Sequence, residues 1–276
     1  MSDFTVKEVL TGINVMQGGI CNRGIIEDQG SVLVIDSGIS AAEATPLRAA
    51  AQQYVRDGGT LTLFNTHPHG DHVFGNQVFA SDTIIGQQAL KENMVATGEQ
   101  ALAAFKQHPG MAEMLRDVII TPPTVTFGDN YTLQVGEIEV QFHHFGIAHS
   151  PSDSVAWLPQ TRVLFAGDLL FNNLVPALPP GGNAAHWIEV LTQLEQFDAQ
   201  HVIPGHGPVQ SPDALASLRI WLTEVHTRVQ AAIEAGWEQE KSVERISEEM
   251  KGLAPRASQE RLPALVQQVY EQIISK

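Results

Sequence analysis

The spacing of apolar and polar residues changes character several times along the chain. Between residues 4 and 35, apolar and β-branched residues come in short runs divided by Gly and polar turns. This predicts four strands at 4–10, 12–16, 22–27 and 31–35. After Asp36, Ser37 and Gly38 the pattern becomes helical, with Thr45 expected as N-cap, Pro46 at the first helical position, and Gly58 and Gly59 as the stop. Residues 61–65 form a short, mostly apolar run suited to a buried strand, and they lead directly into T-H-P-H-G-D-H at 66–72.

Residues 87–117 favour helix, with a break at Pro109 and Gly110. Strand character returns over 131–143, reversing at Val135 and Gly136, and then at 154–158, 163–166 and 201–203. The remainder is helical. Leu215, Leu218, Leu222, Val225, Val229 and Ile233 recur at three- and four-residue spacing up to Gly236, and Leu262, Leu265, Val266, Val269 and Ile273 make a second stripe. Both stripes are read as core-facing. No short-period repeat or low-complexity tract interrupts the chain.

Composition narrows the possibilities. With 276 residues, 43% hydrophobic and 17% charged, the chain suits one large core rather than two equal domains or a disordered state. The net charge of −15 works against nucleic-acid binding, which relies on Lys and Arg neutralising phosphates. The first ten residues lack the basic start and apolar run of a secretory signal, so export is not expected and a cytoplasmic location is. No unbroken apolar stretch is long enough to span a membrane. Cys21 has no partner for an internal disulfide, which fits a reducing compartment.

The candidate chemistry begins at the first polar motif. His67 and His69, two apart in an extended segment, can point the same way and chelate one ion; Gly70 is expected to bend the chain so that Asp71 and His72 face a second. Imidazole with carboxylate suits zinc, with iron or manganese as substitutes. Three further positions, His149, Asp168 and His206, each follow or end a predicted strand, as expected for a site built from distant segments on a rigid scaffold.

V-L-V-I-D-S-G at 32–38, H-P-H-G-D-H at 67–72, A-H-S at 148–150, A-G-D-L-L-F at 166–171 and P-G-H-G at 204–207 together resemble the metallo-β-lactamase superfamily. The resemblance covers most of residues 4–210. It implies an α/β fold, a four-layer αβ/βα sandwich over 1–211, with a helical extension over 212–276 packed on the same domain. It implies that His67, His69 and His149 bind one divalent ion, that Asp71, His72 and His206 bind another, and that Asp168 bridges them. A bridging Asp, with a His directly after Asp71, is similar to the glyoxalase II, lactonase and ribonuclease Z branches.

Two such ions can share a hydroxide formed near neutral pH, so no Ser or Cys nucleophile is required. Asp71 and Asp168 are the expected catalytic carboxylates, Asp168 orienting the hydroxide and carrying a proton. The expected reaction is hydrolysis of an ester, thioester or lactone of a small molecule; β-lactam hydrolysis and the non-heme iron oxygenases of the same superfamily are the alternatives. Asp36 is read either as a partner of a metal ligand, as its family counterpart is, or as the cap of a strand-to-helix turn. His108, His186, His201 and His226 are read as surface or core residues, His143 and His144 as candidates to line the pocket, and Cys21 as a small buried side chain. Substrate choice is expected to lie in residues 87–117 and 172–183.

Overall fold

Ser31–Ile35 shows how the layers arise. Val32 and Val34 point to one apolar cluster, while Leu33 and Ile35 point to another, the two-residue alternation of a strand covered on both faces. The computed structural model describes residues 5–17, 19–255 and 257–275; Phe4, the expected start of the first strand, lies outside them.

The first sheet runs in sequence order through β1 (Thr5–Leu10), β2 (Ile13–Gln17), β3 (Arg23–Asp28), β4 (Ser31–Ile35), β5 (Leu61–Asn65), β6 (Thr83–Gln87) and β7 (Val125–Phe127). It is antiparallel from β1 to β4 and parallel from β4 to β7. The second sheet contains β8 (Asn130–Val135), β9 (Ile138–His144), β10 (Ser154–Leu158), β11 (Val163–Phe171) and β12 (His201–His206), with β11 and β12 parallel.

The two sheets pack face to face through Ile13, Val15, Leu33 and Phe64 on one side and Val140, Phe142, Phe165 and Ile203 on the other. Phe64 stacks on Phe142 with centroids 3.9 Å apart. Helix α1 (Ala41–Gln52) covers the outer face of the first sheet with Ala44, Leu47 and Ala51. The short α2 (Gly70–Val73) shares a cluster with α3 (Gln88–Phe105) and with Leu115, just after α4 (Met111–Met114). On the outer face of the second sheet, α5 (Ala184–Leu194) packs with α6 (Asp213–Glu234), α7 (Gln239–Lys251) and α8 (Leu262–Ile274) in one continuous core centred on Trp187. The result is a four-layer αβ/βα sandwich with C-terminal helices. Among the described residues, no helix is long and apolar enough to cross a membrane.

Several expectations need correcting. Helix α1 starts at Ala41, not after Thr45. Ser40 is its N-cap, accepting from the Glu43 amide at 3.4 Å, and Pro46 lies inside the helix. The sequence S-A-A-E here is the capping signal that Pro46 obscured. Strands β6 and β7 and helix α5 were not anticipated; α7 lies in the stretch expected to be helical, though no stripe marks it. Strand β11 continues to Phe171, so Asp168 sits within a strand rather than beyond its end. The chain turns at Gly70 as expected, but by entering α2, whose first residue it is, and a Cβ there would meet the Phe74 ring at 2.3 Å.

Candidate metal centre

The T-H-P-H-G-D-H segment leaves β5 and winds at once into α2. His67 and His69 therefore come from extended chain, and Asp71 and His72 from the helical turn that follows. His149 comes from the loop before β10, Asp168 from β11, and His206 from the last position of β12. The fold brings all seven side chains together in two clusters: His67, His69, His149 and Asp168 form one, and Asp71, His72 and His206 the other, with donor atoms of each within 4.8 Å of one another.

Asp168 touches both clusters. Its Oδ2 lies 3.6 Å from His67 Nε2, 3.3 Å from His149 Nε2 and 3.3 Å from His206 Nε2, while its Oδ1 is 3.2 Å from His72 Nε2. The carboxylate is this close because β12 passes beside it at Gly205, where a Cβ would meet Asp168 Oδ1 at 1.9 Å.

The ring orientations are held from outside. His72 Nδ1 is 2.8 Å from Asp36 Oδ2, His149 Nδ1 is 3.0 Å from the Ala177 carbonyl, and His206 Nδ1 is 2.9 Å from the Ile20 carbonyl. His67 Nδ1 is 3.0 Å from Thr66 Oγ1, whose hydroxyl donates to Asp36 Oδ2 at 2.8 Å. Protons placed on these Nδ1 atoms leave four Nε2 lone pairs facing inward, the arrangement by which outer carboxylates and carbonyls fix metal-binding imidazoles. His69 instead turns its Nδ1 inward, 2.9 Å from His149 Nε2.

Asp36 is thus a partner of His67 and His72 and not a helix cap. It takes φ +57°, and its Oδ1 also accepts from the Thr66 amide at 2.8 Å. Because it orients one histidine in each cluster, Asp36→Ala is expected to weaken metal affinity by roughly ten- to a hundredfold. Competition titration against a chromogenic chelator measures this, and an unchanged affinity would remove Asp36 from the site.

The buried carboxylates and imidazoles shift one another strongly. Burial raises Asp168, but His206, His72 and His67 outweigh it and hold the carboxyl well below the usual range. Burial lowers His206, yet Asp168 and Asp71 push it up to about 10. Burial pulls His67 well down and holds His149 at about 3, so both stay neutral. His67 Nε2 and Asp168 Oδ1 are buried with no hydrogen-bond partner. Facing lone pairs, orphaned donor atoms and a mixed imidazole–carboxylate set fit divalent cations and are costly without them.

The residue 16–206 stretch matches the family model described as the Metallo-beta-lactamase superfamily. The chain belongs to this superfamily. Members are metal-dependent hydrolases, and the His and Asp groups suited to divalent metal are present here. Among curated relatives, the 2,4-dinitroanisole O-demethylase subunit alpha of Nocardioides sp. (strain JS1661) is 23% identical over 204 residues, 74% of this chain and 57% of its own length. An uncharacterized protein of Aquifex aeolicus (strain VF5) is 29% identical over 193 residues, 67% of this chain and 83% of that one. Among solved structures, the DIM-1 metallo-beta-lactamase superposes with TM-score 0.64 and 19% identity, over 80% of this chain and 98% of its own. The sec-alkylsulfatase Pisa1 from Pseudomonas sp. superposes with TM-score 0.76 and 17% identity, over 98% of this chain and 50% of its own. The chain therefore spans little more than half of the demethylase subunit and half of the alkylsulfatase.

A cavity of about 680 Å³ opens onto the cluster. Its apolar walls include Ile39, Phe105 and Met111, Phe171 at the end of β11, and Leu174 and Pro179 from the strap at 172–183 before α5. His143 and His144 do not line it: His143 Nδ1 meets Asn130, and His144 Nδ1 meets the Asp153 carbonyl. His108, exposed as expected of a surface residue, also edges it, and so does Arg261, which sequence reasoning missed. Asn22 was missed as well. Its side chain donates to the Pro204 and Gly207 carbonyls at 2.8 and 2.7 Å, pinning the His206 loop to the turn before β3. Cys21, in the same turn, is buried with Sγ 2.9 Å from the Asp71 carbonyl.

Proposed function

We propose that the protein is a dinuclear metal-dependent hydrolase that cleaves an ester-type acyl bond, in an ester, thioester or lactone, of a small molecule. The observation that carries this reading is Asp168, one carboxylate in reach of four histidines drawn from both clusters. His67, His69 and His149 would hold one ion, Asp71, His72 and His206 the other, and Asp168 both.

Two bound divalent ions, most simply zinc, supply Lewis acidity and make water a nucleophile near neutral pH. Asp168, buried among the four histidines, would orient the attacking water and carry its proton to the leaving group. Asp71 completes the second cluster and holds His206 Nε2 at 3.1 Å. No side-chain nucleophile competes: burial pushes the Cys21 thiol up to about 12, and it is already engaged with the Asp71 carbonyl. The walls at Phe105, Met111, Phe171 and Leu174 suit an apolar acyl or aryl body and keep bulk water from it. A chain of net charge −15 repels a polyanion, which disfavours nucleic acid as substrate.

The test is a comparison of kcat/KM for aryl esters, acyl-CoA thioesters, lactones, a phosphodiester and a cephalosporin. A secondary alkyl sulfate and 2,4-dinitroanisole join the panel because of the relatives' names. An acyl substrate is expected to lead. A preference of roughly a hundredfold for any of the other four would overturn the acyl assignment.

A further inference from the structure

Arg261 differs from most of the arginines in having no carboxylate partner among the described residues, and from Arg56 and Arg245, which rest on backbone carbonyls and near the Trp237 ring, in lining the cavity at the metal cluster. Arg48, Arg116, Arg162, Arg219 and Arg228 each rest against a carboxylate, as expected where acids outnumber bases 31 to 16. Arg261, half-buried, has no ion pair among the described residues, and its one hydrogen bond is from Nη1 to the Val175 carbonyl at 3.5 Å. Its place is nevertheless fixed. Leu174 and Ala257 form a parallel bridge, the Val175 amide donates to the Ala257 carbonyl at 3.2 Å, and α8 begins directly after Arg261. The strap before α5 and the segment before α8 thus clamp each other and hold the guanidinium over the site.

Arg261 lines two adjoining cavities. One is the cavity of about 680 Å³ that reaches His69, Asp71, His149, Asp168 and His206. The other, of about 530 Å³, shares Phe105, His108, Ala177 and Pro179 with the first but contains none of the seven clustered side chains. Among the described residues, Arg261 is the only lysine or arginine lining either. A permanent cation without a protein anion, set where an apolar cavity beside the metal cluster meets one free of it, matches a ligand whose anionic end lies away from its reacting bond. The planar fork of Arg favours a two-oxygen acceptor.

We propose that Arg261 is a specificity-determining residue that receives a carboxylate carried by the substrate in addition to the bond being cleaved. The substrate class is then a monoester or monothioester of an acid with a second carboxylate, joined by an apolar spacer lying along Phe105 and Pro179. The inference rests on the hydrolase reading above for its place in the reaction, though not for the binding of the anion.

The experiment pairs two acyl chains of equal length on the metal-loaded protein: para-nitrophenyl valerate, which ends in a methyl group, and the mono-para-nitrophenyl ester of glutaric acid, which ends in a carboxylate. The wild-type protein is expected to favour the glutarate monoester by about tenfold or more in kcat/KM, mainly through KM. Arg261→Gln should bring that ratio to about one, and Arg261→Lys should restore part of it. Absence of a wild-type preference overturns the proposal however the variants fold, and so does a preference that survives in Arg261→Gln. If neither ester is turned over, the hydrolase reading fails on its own, and calorimetry with phenylvalerate against phenylpentanol decides the role of Arg261. The carboxylate is expected to bind more tightly, with the gap lost in Arg261→Gln; a gap unchanged by the substitution would mean that the carboxylate sits on the metals instead, and would overturn the proposal.

Discussion

Asp168→Asn is expected to lower kcat by roughly a thousandfold while the chain remains folded. Asparagine keeps the volume and shape of the side chain but removes the negative charge within 3.6 Å of four histidine nitrogens, and it turns an amide donor toward inward-facing lone pairs. The loss should appear in kcat more than in KM, because the carboxylate acts on water and protons rather than on the apolar body of the substrate. His226→Ala, on α6, is expected to change turnover by no more than about twofold. Equal losses in the two folded variants would mean that the cluster at Asp168 is not where the reaction occurs.

Chelation should abolish turnover, and reloading should release protons. In the metal-free chain burial lowers His206, but Asp168 and Asp71 push it up to about 10, and His72 is also raised. Ions that take those nitrogens compete with protons for them. The direction of the stability change follows. The folded pKa of His206 lies above its ordinary 6.5, so in the metal-free chain its contribution is complete below that value and is lost as pH rises through about 10. In the loaded chain protons compete with the ions, and stability is lost as pH falls. The gap in melting temperature between loaded and chelated protein should therefore widen from about pH 6 to about pH 9, and activity should rise through neutrality. A gap that narrows over this range, or reloading without proton release, would contradict the assignment of His206 and His72 as ligands.

The sequence made the site legible where chemistry is concentrated in one short segment. His67, His69, Asp71 and His72 fall within six residues, and their clustering has no packing explanation. Asp36 could not be decided locally, since Asp before Ser-Gly caps turns as readily as it binds a histidine; its role depends on Thr66 and His72, about thirty or more residues away. Asn22 and the Ile20 carbonyl act across more than 180 residues, and one of them through the backbone, so side-chain chemistry gives no signal for them. Arg261 and His108 were invisible for a related reason: helical periodicity identifies the face that packs, not the polar residue at a helix margin that turns into a cavity.

In the fold, the short apolar run at β4, buried on both faces, and the stripe on α6, buried along one, were legible. Strand β6 escaped because its last residue, Gln87, also opens the helix-favouring run of 87–117, with no turn to separate the two. Helix α7, within the stretch read as helical, gave no stripe of its own because it carries few apolar residues, and its inward face rests on Ile246 and Met250 amid a run of Glu and Lys.

Metal stoichiometry tests the central claim most directly. Elemental analysis of protein stripped with chelator, reloaded with zinc, iron or manganese and freed of excess ion should give close to two equivalents per chain, with activity returning as the second is filled. A single equivalent carrying full activity, with no second ion taken up by any of the three metals, would contradict a dinuclear site built on Asp168.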